Sequence, residues 1–289
     1  MTLRVTLLAL VAALLLAACG GDDEPEAQAP TAAAATTEQE AATTESAESE
    51  GSAAILLAAG RNTLVAGSSR VFVEADVGDR AFTGEGTYDY DDHVGEMQLD
   101  LGGLGAAAGV GELELVFADN VVYYHLPPGT LPGGRDWIKI DVEALGNSAG
   151  VDFAQLAQGN QSDPAQYLRW LWAVGEDVEE LGTETVRGVE TTHYRATVEL
   201  DRVVEAAEPE VRDATRGWID LLKQQLELGE VPIDVWVDED GLVRRIEQEY
   251  EVGGTQTQIR MELDDFGIEV DAEAPPADQV IDLGDLGGL

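Results

Sequence analysis

Ile233-Asp234-Val235-Trp236-Val237-Asp238-Glu239-Asp240-Gly241-Leu242-Val243-Arg244-Arg245 decides how this chain folds. Ile233, Val235 and Val237 alternate with Asp234, Trp236 and Asp238. Asp240-Gly241 then marks a tight turn, and a second alternating run extends from Leu242 to Glu251. A period of two sends successive side chains to opposite faces of a strand, and glycine supplies the positive φ that a tight turn needs. The unit reads as an antiparallel hairpin with one buried and one solvated face.

Working outward, the same period recurs along most of the chain. Val71, Val73, Ala75 and Val77 share one face, with Phe72, Glu74 and Asp76 opposite. Phe82, Tyr88 and Tyr90 alternate with Thr83, Glu85, Thr87 and Asp89, and Met97, Leu99 and Leu101 with Glu96, Gln98 and Asp100. Leu113, Leu115 and Phe117 form a further run that Asp119-Asn120 turns into Val121 to Leu126. Asp136 to Asp141, Asp177 to Val186, Val189 to Leu200 and Gln256 to Leu263 complete about eleven strands.

Helical spacing appears in three places. Ala53 to about Val65 reads as a helix with Gly67 past its end. Asp163 caps a helix that starts on Pro164 and carries Tyr167, Leu168, Leu171 and Trp172 on one side. Pro209 to Leu228 repeats Val211, Ala214, Trp218, Leu221, Leu222 and Gln225 at helical intervals. Pro275-Pro276 reads as the end of the ordered part.

These elements predict an α+β fold: a large curled antiparallel β-sheet, a half-barrel of about eleven strands, with helices packed on its concave face. A sheet of that size curls rather than staying flat. Helices that do not fill the curve leave an apolar cavity. Its expected lining from the sheet is Val73, Tyr88, Leu99, Leu115, Phe117, Tyr124, Val235 and Ile259. Leu171, Trp172, Trp218 and Leu222 are the expected contribution of the helices.

The N-terminus sets the compartment. Arg4, an apolar run from Val5 to Leu16 and the small residues Ala17 and Ala18 form a signal peptide over residues 1–18, too short to span a bilayer. Residues 20–52 hold Gly, Ala, Thr, Pro, Asp and Glu without an aromatic residue or a positive charge. Such a segment buries too little apolar surface to offset its ordering entropy, so residues 19–52 are expected to be a disordered tether about 30 Å in coil size. The folded domain is then 53–285.

Composition narrows the partners. The 289 residues hold 57 acidic against 16 basic side chains, a formal net charge of -41, and Lys139 and Lys223 are the only lysines. Phosphate backbones need clustered cations, so nucleic acid is not an expected partner. A surface this acidic is tolerated best where salt screens it. Hydrophobic content of 44% still supports an ordinary core.

The chemical constellations are sparse. Asp238-Glu239-Asp240-Gly241 resembles part of a calcium loop, but an EF-hand register would need an acid where Trp236 stands. It reads as a hairpin turn, and Tyr88 to His93 as a strand end running into a solvated turn. His125 and His193 alternate onto the face opposite the apolar residues, so both are expected at the surface. The chain carries no nucleophile elbow, zinc helix, Walker loop or dinucleotide fingerprint. No catalytic residue, metal site or cofactor is expected, and the chain does not read as an enzyme.

Leu16-Ala17-Ala18-Cys19 resembles the lipobox of bacterial lipoproteins, which implies diacylglyceryl modification of Cys19 and cleavage before it. An ordinary secreted protein with an unpaired thiol is the alternative. Over about Ala53 to Asp285 the chain resembles the LppX/LprAFG family of actinobacterial lipoproteins, within the wider LolA/LolB-like fold. The resemblance rests on Thr87-Tyr88-Asp89-Tyr90, Asp136 to Asp141, Gly182 to Val189 leading into Thr192-His193-Tyr194, Ile233 to Arg245, and Pro275 to Val280. It implies a lipid-anchored protein on the extracytoplasmic side of the cell membrane, with an apolar cavity that holds a lipid or lipoglycan. An envelope transporter is a further partner that the resemblance implies. The alternative is an envelope scaffold, interaction or sensor module whose core is filled by its own side chains.

Overall fold

A computed structural model describes residues 38–102, 111–118, 121–140, 164–175, 177–206, 229–252 and 255–282, with positions 212, 215–217, 219–220 and 223 between them. The expectations placed on Cys19, the signal peptide, Asp119-Asn120, Asp163, Trp218 and Leu222 lie outside the described residues.

Twelve strands form one open, curled sheet in the order β12-β6-β5-β4-β3-β2-β1-β11-β10-β9-β8-β7. The first half is a meander: β1 (Ser68–Val77), β2 (Arg80–Asp89), β3 (Val94–Asp100), β4 (Glu112–Ala118), β5 (Val121–His125) and β6 (Trp137–Ile140). The second is another: β7 (Glu179–Val186), β8 (Val189–Glu199), β9 (Glu230–Asp238), β10 (Val243–Val252) and β11 (Thr255–Asp264). A single antiparallel seam joins them, with Val73 opposite Met261 and Val71 opposite Leu263.

The half-barrel with helices is as expected, with two differences. The sheet has a twelfth strand, β12 (Val280–Asp282), beyond the prolines read as its end, and it pairs in parallel with β6. A short 3-10 turn, Ala277–Gln279, re-aims the chain after Pro276, so Ile281 reaches a buried position beside Ile138.

Helix α1 (Glu38–Val65) begins well ahead of Ala53, inside the stretch expected to be tether. Ala and Glu, abundant there, are strong helix formers even without an apolar face. At its other end Gly67 takes φ +85°, and the Gly67 N–H donates to the Leu64 carbonyl at 3.0 Å. That left-handed stop turns the chain directly into β1. Helix α2 (Pro164–Trp170) continues as a 3-10 turn over Leu171–Ala173, and α3 (Leu200–Ala206) follows β8 without a break. The expected helix from Pro209 is helical at the positions described, where Ile219 is buried.

The core lies between the concave face and these helices. Leu56 and Ala59 of α1, Ala165 and Leu168 of α2, and Leu171 meet Val71, Val243, Ile246 and Val235 of the sheet. Helices α1 and α2 cross closely at Gly60, where a Cβ would stand 2.9 Å from the Leu168 carbonyl. Thr63 fastens α1 to β10: its hydroxyl donates to the Ala59 carbonyl and accepts the Val243 N–H, both at 2.8 Å.

Three glycines let the sheet curl between β2 and β4. A Cβ on Gly86 would sit 2.0 Å from the Glu96 carbonyl oxygen, and one on Gly95 would sit 2.5 Å from that of Thr87. On Gly84 it would meet Leu99. Each faces the concave side, so close backbone approach there tightens the bend.

Candidate functional site

The alternation that forms each strand also sorts its side chains into two surfaces. On the concave side, register aligns Tyr194, Val235, Ile246, Met261, Val73, Gly84, Leu99 and Leu113 in one row across the sheet. The neighbouring row holds Leu263, Val71, Gly86, Met97, Leu115, Tyr124 and Ile138. Ala196, Ile233, Gln248, Ile259 and Ala75 form a third.

The sequence-predicted lining residues divide into two groups. Tyr88, Leu115, Phe117, Leu171 and Val235 are buried in the packed core. Tyr88 meets Phe117 edge-on, with centroids 5.4 Å apart and ring planes at 88°. Val73, Leu99, Tyr124 and Ile259 are only half-buried, although they lie on the same concave face. Trp172 is half-buried too, beneath the Arg61 guanidinium at 5.9 Å rather than in the core cluster.

Sequence reasoning missed a polar group on this face. Gln248 and Tyr250 follow Ile246 along the concave side of β10, and Thr257 of β11 stands opposite Tyr250. Tyr167 of α2 stands near Tyr250 from the helical layer. Burial pushes its hydroxyl up to about 12, with the nearby Tyr250 phenol adding to the shift. Burial also raises the Tyr250 hydroxyl. The signal was present in the sequence: Gln248 occupies an apolar-face position in the alternation Ile246, Gln248, Tyr250.

The outer face is polar and tightly cross-linked. Register places His193, Trp236, Arg245, Glu262, Phe72, Glu85, Gln98, Glu114, His125 and Trp137 in one row. A histidine stacks on a tryptophan at each end: His193 on Trp236 at 4.1 Å, and His125 on Trp137 at 4.6 Å. The surface expectation fails for His193, which is 8% exposed. Trp236 covers one ring face, Asp234 stands 2.7 Å from Nε2 and Glu184 3.3 Å from Nδ1. An outward strand position is no guarantee of solvent when its cross-strand neighbour is an indole. His125 keeps more of its surface and pairs with Glu114 at 3.0 Å.

Over this outer row lies a cavity of about 700 Å³. Phe72, Glu85, Gln98 and Glu114 lie along it, with Arg187, Arg260 and Glu262 towards one side and His125, Pro127 and Pro128 towards the other. Its carboxylates make it a poor host for an acyl chain. The concave face is the better candidate on chemistry.

The two motifs weighed for metal are turns. Asp238 Oδ1 accepts the Asp240 and Leu242 N–H groups at 3.0 and 2.9 Å, and Oδ2 accepts Arg244 Nε at 2.6 Å. Asp89 Oδ1 accepts the Asp91 and Asp92 N–H groups, both at 2.9 Å. Among the described residues no cluster of three metal-ligating side chains occurs, and no helix is long and apolar enough to cross a membrane.

No protein-family profile matches the chain. In sequence it is similar to an uncharacterized 31.2 kDa protein from the rplA-rplJ intergenic region of Streptomyces griseus, 34% identical over 162 residues, covering 53% of this chain and 50% of that one. It is also similar to a Streptomyces coelicolor protein named as a candidate lipoprotein, 33% identical over 158 residues, covering 53% and 45%. The chain spans about half the length of the curated relatives it matches. Among solved structures it is similar to the lipoprotein LppX of Mycobacterium tuberculosis, with TM-score 0.45 and 15% identity, covering 75% of this chain and 98% of that one. For LprF of Mycobacterium bovis the values are 0.44 and 13%, with 78% and 97% covered. Both mycobacterial proteins carry the names of the group that the sequence motifs resemble.

Proposed function

We propose that this protein is an envelope lipoprotein, anchored through a diacylglyceryl group on Cys19, that shelters the acyl part of a lipid or lipoglycan under its helices and carries it through the cell envelope. The observation that supports this most is the half-buried stripe Tyr124, Leu99, Val73 and Ile259 on the concave face. Apolar groups that keep accessible surface on the concave side offer a place for an acyl chain.

Energetics suit a carrier. Each methylene exposed to water costs about 0.8 kcal/mol, so a palmitoyl-length chain needs on the order of 12 kcal/mol of shelter. The anchor keeps the carrier at the membrane, since two acyl chains attach firmly where one is marginal.

The competing reading is an envelope scaffold or sensor with a filled core, and the packing of Tyr88, Leu115, Phe117, Leu171 and Val235 favours it locally. Native mass spectrometry of the full-length chain from an acylating bacterium separates the two. Co-purified lipid beyond the mass of the Cys19 modification supports the carrier. A clean mass, with no uptake of added fatty acid, leaves the scaffold. Cys19→Ala should abolish labelling by a radioactive fatty acid and release the protein from the membrane.

A further inference from the structure

The lipid-carrying reading leaves one cavity without a role, the space of about 700 Å³ on the outer face of β1 to β4. Its two ends are built from side chains that already have partners. At one, Arg260 pairs with Glu74 at 2.7 Å and Arg187 with Glu262 at 3.0 Å. At the other, His125 pairs with Glu114 at 3.0 Å and stacks on Trp137 at 4.6 Å. The loop beyond His125 is a closed turn, because the Thr130 hydroxyl and N–H both donate to the Pro127 carbonyl, at 2.6 and 3.1 Å. Pro127 and Pro128 therefore stand as a fixed apolar wall.

The floor between these ends is different. Thr83, Glu85, Gln98, Asp100 and Glu112 are all exposed there. Neither β3 nor β4 contains a Lys or Arg, and among the described residues no cation pairs with Glu85, Asp100 or Glu112. Register sets Thr83 opposite Asp100, Glu85 opposite Gln98, and Asp100 opposite Glu112. Two carboxylates facing each other across neighbouring strands repel, and a guest that donates hydrogen bonds to both relieves the repulsion.

We propose that this cavity binds an uncharged oligosaccharide. The mixture of signs along it selects the class. A polyanion would meet the floor carboxylates, and an extended polycation would meet the guanidiniums of Arg187 and Arg260 at one end. An acyl chain would strip water from charged groups and return nothing. A sugar hydroxyl both donates and accepts, so a chain of them serves the carboxylates, the Gln98 amide and the Thr83 hydroxyl without adding charge. The proline wall offers C–H surface to the apolar side of a sugar ring. The volume falls in the range of roughly 300–1,000 Å³ usual for small-molecule sites. The proposal does not depend on the lipid-carrying reading, which concerns the opposite face of the sheet.

The test titrates the full-length chain by calorimetry with neutral trisaccharides of glucose, mannose and galactose, with trigalacturonate, and with spermidine, each at low and high salt. At least one neutral sugar should bind, about 10-fold or more tighter than trigalacturonate, and salt should leave its affinity unchanged because no net charge is exchanged. Glu85→Ala/Gln98→Ala should weaken that binding about 10-fold or more, since a charge-assisted and a neutral hydrogen bond are both lost. Both side chains are exposed, so the melting temperature of the variant should match wild type. The proposal is overturned if none of the three neutral sugars binds, if the variant binds them as wild type does, or if spermidine binds most tightly and is lost in salt. None of these outcomes alters lipid uptake on the concave face, which is read separately.

Discussion

Arg187, at the turn between β7 and β8, holds its guanidinium 3.5 Å over the ring of Phe72 in β1. Strands β8, β9, β10 and β11 lie between β7 and β1 in the sheet order. The same group reaches Glu262 at 3.0 Å and Asp264 at 3.2 Å, both on β11. The turn of the edge hairpin is thus tied to the outer face of β1 and β11, and Val186 beside it is 1% exposed.

Arg187→Lys keeps the charge but gives up the planar stack and the forked contact with two carboxylates. The side chain is partly exposed, so the loss should be modest, about 1 kcal/mol, or a fall of roughly 2–4 °C in melting temperature. A thermal melt of the two chains checks it. An unchanged melting point would falsify the view that the hairpin tip is held by this contact.

Glu262 should make stability depend on acid. Burial of the carboxyl opposes its ionisation, but hydrogen bonds from Arg187 and Arg245, and their charges, outweigh that and hold it below the usual carboxylate value of 4.5. A carboxyl depressed on folding contributes stability that is present above the unfolded value and lost as pH falls through the folded one. Glu262→Gln should therefore weaken the protein near neutral pH, and the difference should shrink below about pH 4.5. Urea denaturation at the two pH values measures it.

Tyr167 predicts the opposite limb. Its hydroxyl is raised from 10.0 to about 12, so its contribution is intact below the unfolded value and lost as pH rises through that window. An absorbance titration should show a phenol ionising late, near the folded value. Tyr167→Phe should remove that step and flatten the alkaline loss of stability.

Gly86 tests the curl. Adding a methyl group there forces it against the Glu96 carbonyl at 2.0 Å and the Met97 Cα at 2.7 Å, both backbone atoms that cannot step aside. Gly86→Ala should cost about 3 kcal/mol through displaced backbone between β2 and β3. Gly111, which has open space around its Cβ position, should accept alanine nearly silently. Paired denaturation curves give the contrast.

Thr63→Val preserves shape and removes one hydroxyl. The Val243 N–H, at a position 0% exposed, then loses its acceptor. Leaving a buried donor unpaired costs about 1–3 kcal/mol, more than the hydroxyl's own bond is worth. Amide hydrogen exchange at Val243 should speed up along with the loss in stability.

Much of the architecture is legible in the chain because it is local. Alternation and a turn residue specify a hairpin within about twenty residues, and nearly every neighbour pair in this sheet is consecutive in sequence. The Asp238–Gly241 and Asp89–His93 turns are read correctly for the same reason. The helix boundary at Ala53 is misplaced because Ala-Glu runs satisfy both a disordered and a helical reading. His193 is misread because alternation tells which face a side chain takes, and says nothing of the indole that covers it.

Sequence alone determined the strand period, the hairpin turns, the acidic surface and the apolar side on which any acyl guest would have to lie, since each depends on residues near one another in the chain. Tertiary structure decided the seam of Val73 with Met261, the reach of Arg187 to Phe72 and the approach of Tyr167 to Tyr250. Those contacts join distant segments, and what sets them is the sheet's curvature and the crossing of the helices, which no local pattern encodes.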